Sequence, residues 1–255
     1  MKYPSRFLAV LATFGICLGF ALPVRAEKAT VAVAAGMKFA MEEIAAAYRK
    51  EHPKDSLAVV FGATGKLLAQ IRQGAPFDLF FAADTDAPAA LLSSGHAQGK
   101  LVVYAVGRLV IWGRGKGFAK LAVGDLAQPR FAHIAIANPK IAPYGKRAME
   151  ALRSAGIATS VAPRLVYGES VTQAAQFVNS GNAQVGLLAL SLALGPELAS
   201  KGTYALVPEA LHQPLEQGFV LTTRGKDNGV AKRFAAYLRT PGTRAILLRY
   251  GYRVP

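Results

Sequence analysis

The segment LAVVFGATGKLLAQIRQGAPFDLFFAAD, residues 57–84, carries a strand, a helix and a second strand with a turn signal at each junction. Leu57 to Phe61 is apolar and rich in valine, as a buried strand requires. Gly62-Ala63-Thr64-Gly65 then turns the chain into a helix through Leu67, Leu68 and Ile71, which Gln73-Gly74-Ala75-Pro76 closes. Asp78 to Ala82 returns as a strand. Upstream, Thr30 to Ala35 reads as a short buried strand. It leads through Gly36 into an amphipathic helix over 38–50, with Phe39, Met41, Ile44, Ala47 and Tyr48 at helical spacing, broken by His52-Pro53-Lys54-Asp55. Downstream, a short helix spans Ala87 to Ser94 and ends at Gly95. Strand–helix–strand–helix–strand is the order of a parallel sheet covered by helices on both faces.

Leu101 to Trp112 is a β-prone stretch too long for one more such unit, and it suits a crossing into a second lobe. A second α/β series follows. Ile134–Ala137 is a strand, Pro143-Tyr144-Gly145 turns into a helix over 146–155, and Arg164–Tyr167 is a strand. Gly168-Glu169-Ser170 opens a helix over 171–180, and Val185–Leu190 is a strand again. Gly218–Thr223 reads as a returning strand before helices near Val230–Leu238 and Thr243–Arg249. The expected organisation is two α/β lobes joined by a two-strand hinge. Lobe 1 comprises 27–104 plus 219–255 and lobe 2 comprises 105–218, with a ligand cleft between them.

The chain of 255 residues carries 30 basic and 15 acidic side chains, a formal charge of +15. Its first residues read as an export signal. Lys2 and Arg6 precede an apolar run from Phe7 to Leu22, which is short for a membrane span, and Val24-Arg25-Ala26 ends in a small-residue cleavage site. Cleavage after Ala26 is expected, with a periplasmic mature chain over 27–255. Cys17, the only cysteine, lies in the apolar run. Ile16 stands before it, where a lipid-anchoring signal needs a small residue. The mature chain then has neither disulfide nor thiolate chemistry. Its basic residues are scattered singly, without an aromatic-interleaved stripe, which argues against nucleic acid and fits solubility with mild steering of anions.

Four strand-to-helix turns present unpaired backbone N–H groups: Ala35-Gly36-Met37, Ala63-Thr64-Gly65, Pro143-Tyr144-Gly145 and Ser170-Val171. Such turns lie at the carboxyl ends of parallel strands, where open α/β sheets bind ligands. Helix N-termini combine free donors with the positive end of the helix dipole and so favour anions. Thr64 and Tyr144 add hydroxyls. Each turn alone reads as an ordinary capped turn; together they make a site only if they converge.

Read in order, these segments resemble the periplasmic molybdate-binding proteins of the type II solute-binding fold. The resemblance rests on Ala34-Ala35-Gly36-Met37, on Phe61-Gly62-Ala63-Thr64-Gly65 with Gly74-Ala75-Pro76-Phe77-Asp78-Leu79-Phe80, on Asn138-Pro139 with Ala142-Pro143-Tyr144-Gly145, and on Glu169-Ser170-Val171 with Gly181, Ala183 and Gly186. It covers essentially the whole mature chain. It implies mixed sheets in both lobes and capture of a tetrahedral oxyanion, molybdate or tungstate, without a charged side chain in contact. It implies Gly36, Thr64, Tyr144 and Val171 as the binding residues, with Ala35, Met37, Ala63, Gly65 and Lys38 in a second tier. It further implies a monomer that needs no cofactor and delivers its anion to an ABC-transporter permease. Two positions depart from the pattern. The first turn offers no side-chain hydroxyl, and Ala189 stands where some relatives carry a tyrosine.

Those departures, with Tyr144, leave open a different ligand on the same fold, a metal ion or a small organic acid. Tyr250 and Tyr252 are close together in sequence but are expected to lie away from the turns. A hydrolase or sensor is a third reading, for which no His-Glu-x-x-His, Gly-x-Ser-x-Gly or P-loop pattern exists. His52, His96, His133 and His212 lack metal-ligand spacing, and Asp78 and Asp84 lack an identifiable partner carboxylate. Gly113-Arg114-Gly115-Lys116-Gly117 is expected to be a hairpin tip.

Overall fold

A computed structural model describes residues 27–255, so the expected export signal lies outside the described residues. In chain order the elements are β1 (Lys28–Ala34), α1 (Lys38–Glu51), β2 (Ser56–Gly62), α2 (Thr64–Arg72), β3 (Leu79–Phe81), α3 (Asp86–Ser93), β4 (Ala97–Gly107) and β5 (Leu109–Arg114). Then come β6 (Ile134–Ala137), α4 (Pro143–Ser154), α5 (Ala158–Val161), β7 (Leu165–Gly168), α6 (Val171–Asn179), β8 (Val185–Ala189) and α7 (Leu190–Ala193). The chain ends with β9 (Gly202–Leu206), β10 (Leu215–Thr222), α8 (Gly229–Tyr237) and α9 (Pro241–Arg249).

Two five-stranded mixed sheets result, in the orders β2-β1-β3-β10-β4 and β7-β6-β8-β5-β9. In the first, β1 runs parallel to β2 and β3, while β10 is antiparallel to β3 and β4. The second repeats the scheme, with β6 parallel to β7 and β8, and β5 antiparallel to β8 and β9. Strand alternation explains why both faces of the first sheet are covered. Val31, Val33, Leu79 and Phe81 point into a core with Met41, Ile44 and Phe234, whereas Ala32, Phe80 and Val220 point into one with Leu67, Ile71 and Leu91. The core around the fully buried Trp112 is built mainly from lobe 2 and takes in Ala34, Phe39 and Ala83 of lobe 1.

The long stretch expected over 101–112 is two strands that part at Arg108. β4 belongs to the first sheet as far as Gly107, and β10 joins it from Leu215. The chain therefore crosses between lobes at Arg108 and again over 207–214, a few residues from the positions read from the sequence. The glycine run at 113–117 is not a hairpin tip. β5 pairs with β8 and β9, both distant in sequence, and the Gly115 N–H is held by the Lys201 carbonyl at 2.8 Å. β9 and α7 had no sequence signal strong enough to place them.

Candidate functional site

Strand register sets the first level of convergence. Ala34 pairs with Gly62, so the turns at Gly36 and Thr64 leave adjacent parallel strands side by side. Ala137 pairs with Gly168, which does the same for the segments leading to α4 and α6. The lobes then meet along these ends. The Gly65 N–H donates to the Ile141 carbonyl at 2.9 Å, and the Thr172 hydroxyl donates to the Ala35 carbonyl at 3.0 Å. Gly36 lies under lobe 2, where a side chain would crowd its neighbours. A Cβ there would stand 3.0 Å from Tyr144 Cε2 and 3.3 Å from Val171 Cγ1. The structure thus brings Gly36, Tyr144 and Val171 together, with Thr64 on the neighbouring turn, and all four are buried.

Donors remain where a ligand would use them. At the start of α4, Pro143 has no N–H, and Tyr144 and Gly145 are too early to have intrahelical acceptors. α4 can begin this close to β6 only because residue 145 is glycine: a Cβ would fall 2.1 Å from the Ala137 carbonyl oxygen. At the start of α6 the Ser170 hydroxyl caps the Gln173 N–H at 3.2 Å, leaving the Val171 and Thr172 N–H groups without an intrahelical acceptor. Thr64 Oγ1 accepts from the Ala83 N–H at 3.1 Å, and its own proton finds no acceptor among the described residues.

The second tier divides. Ala35 offers its carbonyl to Thr172, and the Gly65 N–H is consumed by Ile141. Met37 is buried in the lobe 1 core, and Ala63 is buried at the α2 cap. Lys38 turns to Glu197 of lobe 2 at 2.7 Å. Lys66–Glu169 at 2.7 Å and Lys146–Asp86 at 4.0 Å likewise tie lysines to carboxylates across the seam. Two clefts open on that seam. One of about 480 Å³ is lined by Gly62, Lys66, Ser170 and Thr172, and one of about 450 Å³ by Thr64, Asp84, Ile141 and Lys146.

Sequence reasoning missed a buried polar chain behind the first turn. The Gly36 carbonyl accepts from Ser191 Oγ at 2.6 Å and from the Tyr252 hydroxyl at 3.0 Å, and Tyr252 lies 3.2 Å from Ser191 Oγ. Tyr252 is therefore at the turns, contrary to expectation. The tail after α9 returns to the sheet, where Arg253 and Val106 exchange backbone hydrogen bonds at 2.7 and 3.0 Å. Ser191 stands two residues past Ala189, so a hydroxyl does reach the first turn from the end of β8, by way of α7. Only the three-dimensional fold could show either contact.

The Tyr144 hydroxyl faces the hinge. It accepts from Gln217 Nε2 at 3.2 Å, and Gln217 Oε1 in turn accepts from the Tyr104 hydroxyl at 3.0 Å. Burial is the main cause that pushes Tyr104, Tyr144 and Tyr252 well above the ordinary tyrosine value, so all three stay protonated. Tyr144 thus offers the first turn its ring and its backbone N–H. Burial also raises the carboxyl of Asp84, whose Oδ1 accepts from the Ala87 N–H at 3.0 Å. Among the described residues no cluster of three or more His, Cys, Asp or Glu side chains could hold a metal ion.

Two α/β lobes, joined by two crossings and meeting over a buried set of helix-start donors, define a two-lobed solute-binding architecture. Residues 29–253 match the family of bacterial extracellular solute-binding proteins, and the chain belongs to it. Members of that family bind solutes and are not enzymes. The molybdate-binding protein ModA of Rhodobacter capsulatus is 35% identical over 252 residues, covering 98% of each chain. ModA of Azotobacter vinelandii is 37% identical over 233 residues, covering 91% of this chain and 92% of its own. The solved periplasmic molybdate-binding protein of Azotobacter vinelandii superposes with a TM-score of 0.84 at 31% identity, covering 89% of this chain and 99% of that one.

Proposed function

We propose that this protein captures a tetrahedral oxyanion, molybdate or tungstate, between its lobes in the periplasm and, as a monomer, delivers it to the membrane permease of an ABC transporter. The observation that carries the proposal is the meeting of Gly36, Tyr144 and Val171, with Thr64 on the adjacent turn, at a buried seam where Lys38 and Lys66 are taken up by Glu197 and Glu169. An anion there is held by N–H dipoles and a hydroxyl, an arrangement that stabilises negative charge without a counterion. The names of the relatives support the choice of anion.

Selection follows from donor spacing. A cage sized for a large tetrahedral anion leaves donors unpaired around sulfate, and each buried unpaired donor costs roughly 1–3 kcal/mol. A metal ion is disfavoured because the hydroxyls of Tyr104, Tyr144 and Tyr252 are engaged by Gln217 and the Gly36 carbonyl. Lys38 and Lys66 are already paired with Glu197 and Glu169, which leaves neither free to meet the carboxylate of an organic acid. Calorimetric titration of the mature chain with molybdate, tungstate, sulfate and phosphate is the test. Saturable heat with the first two and none with the others at equal concentration is expected. No heat with any of the four would sink the proposal.

A further inference from the structure

The first turn is the poorest of the four in side chains, since Ala35, Gly36 and Met37 supply no hydroxyl, yet the carbonyls of Ala35 and Gly36 each accept from a hydroxyl of lobe 2. The Ala35 carbonyl accepts from Thr172 Oγ1 at 3.0 Å, and the Gly36 carbonyl accepts from Ser191 Oγ at 2.6 Å. Thr172 sits at the start of α6 and Ser191 in α7, both in lobe 2, whereas the turn belongs to lobe 1. The third donor, Tyr252, belongs to the lobe 1 core and reaches the Gly36 carbonyl from the same side as the turn.

Geometry gives these bonds a consequence. The described chain contains no cis peptide, and in a trans peptide the N–H points opposite the C=O of the same unit. Holding the Ala35 carbonyl therefore aims the Gly36 N–H, the donor this turn has to offer. Holding the next carbonyl fixes the peptide that follows. With the lobes apart, the Lys38 N–H still holds the Ala35 carbonyl and Tyr252 the Gly36 carbonyl, and the second bond that Thr172 and Ser191 add to each is missing.

We propose that Thr172 and Ser191 are positioning residues for anion capture. They are hydroxyl clasps that lobe 2 sets on consecutive carbonyls of the lobe 1 turn as the lobes come together, doing from across the cleft what the turn's own side chains cannot. This inference rests on the oxyanion reading and deepens it. The anion meets the doubly held turn only in the joined state, so the clasps act on release, which must break them, and not on the first encounter.

The test measures release of labelled molybdate by chase, and its association, for the wild-type mature chain and for Thr172→Val, Thr172→Ser, Ser191→Ala and Tyr252→Phe. Thr172→Val and Ser191→Ala are each expected to release the anion about tenfold faster, with association changed by less than about twofold. Their ligand-free melting temperatures should stay near wild type, because the bonds they lose exist only with the lobes together. Thr172→Ser keeps the hydroxyl and should restore slow release. Tyr252→Phe acts within lobe 1 and should lower the ligand-free melting temperature, a readout the two clasp variants leave unmoved. Unchanged release in both clasp variants, beside normal wild-type binding, overturns the clasp and spares the oxyanion reading. A fall in ligand-free melting temperature for Ser191→Ala and Thr172→Val as large as for Tyr252→Phe overturns it too, since the residues would then be ordinary packing. A wild-type chain that binds no oxyanion overturns both readings together.

Discussion

Gly65 of lobe 1 gives its backbone N–H to the carbonyl of Ile141 in lobe 2 at 2.9 Å, and its missing side chain is what lets the two backbones meet. A Cβ at 65 would stand 3.0 Å from that oxygen and 3.1 Å from Ile141 Cα. The crowding exists only when the lobes touch. Gly65 is also the second residue of α2, where alanine favours the helix by up to about 1 kcal/mol over glycine. Gly65→Ala should therefore raise ligand-free stability slightly while weakening molybdate binding by about tenfold. Thermal melting and calorimetry on the same preparation read the two opposite signs. Tight binding retained by the variant would mean that the lobes need not approach this closely.

Thr64 connects two tasks through one oxygen. Its Oγ1 accepts from the buried Ala83 N–H at 3.1 Å, which orients the hydroxyl and leaves its proton available to the anion. Thr64→Ala should weaken binding by about 1–2 kcal/mol and also cost stability of about 1 kcal/mol, because the Ala83 donor loses its partner. Thr64→Ser should recover both. Unchanged affinity in the alanine variant, measured by titration with molybdate, would put Thr64 outside the site.

Much of this was legible in the sequence, and the limits have physical causes. Turns at parallel strand ends follow from local patterns, so β1 through α3 and the turns that carry Gly36, Thr64, Tyr144 and Val171 could be read to within a few residues, whereas the choice of those four as ligand positions came from the resemblance. The split at Arg108 could not, because an apolar run is equally β-prone on either side of a lobe crossing. Ser191 and Tyr252 were invisible for a different reason. Their role is a hydrogen bond to a backbone carbonyl 155 or 216 residues away in sequence, and any residue type has that carbonyl. Tyr144 misled by its chemistry. A tyrosine at a binding turn suggests a hydroxyl donor, yet its ring covers Gly36 and its oxygen runs on to the hinge.

The buried tyrosines fix how stability depends on pH. Tyr104, Tyr144 and Tyr252 are held above their unfolded value chiefly by burial, so the folded chain keeps three protons that the unfolded chain releases near pH 10. Stability from this source is fully present below about pH 10 and falls as pH rises beyond it, at up to roughly 1.4 kcal/mol per pH unit for each group. Urea unfolding should give a flat profile from about pH 8 to 9.5 and a steep decline above 10. A profile that stays flat to about pH 11 would contradict the protonated, buried state of these hydroxyls.

Tyr144→Phe separates what the tyrosine does for the anion from what it does for the fold. The ring that covers Gly36 and the N–H at the start of α4 both survive the change, so molybdate affinity should stay within about threefold of wild type. The hydroxyl that accepts from Gln217 Nε2 is lost, and Gln217 is almost fully buried, at 1% exposure. An amide N–H without an acceptor in such a place costs about 1–3 kcal/mol, so the melting temperature should fall clearly. The damage should be larger than for Tyr104→Phe, because the Gln217 Oε1 left by that change is an acceptor, and an unpaired acceptor is better tolerated than an unpaired donor. Loss of anion binding in Tyr144→Phe with stability intact would reverse the assignment, placing the hydroxyl on the ligand and the hinge contact in second place.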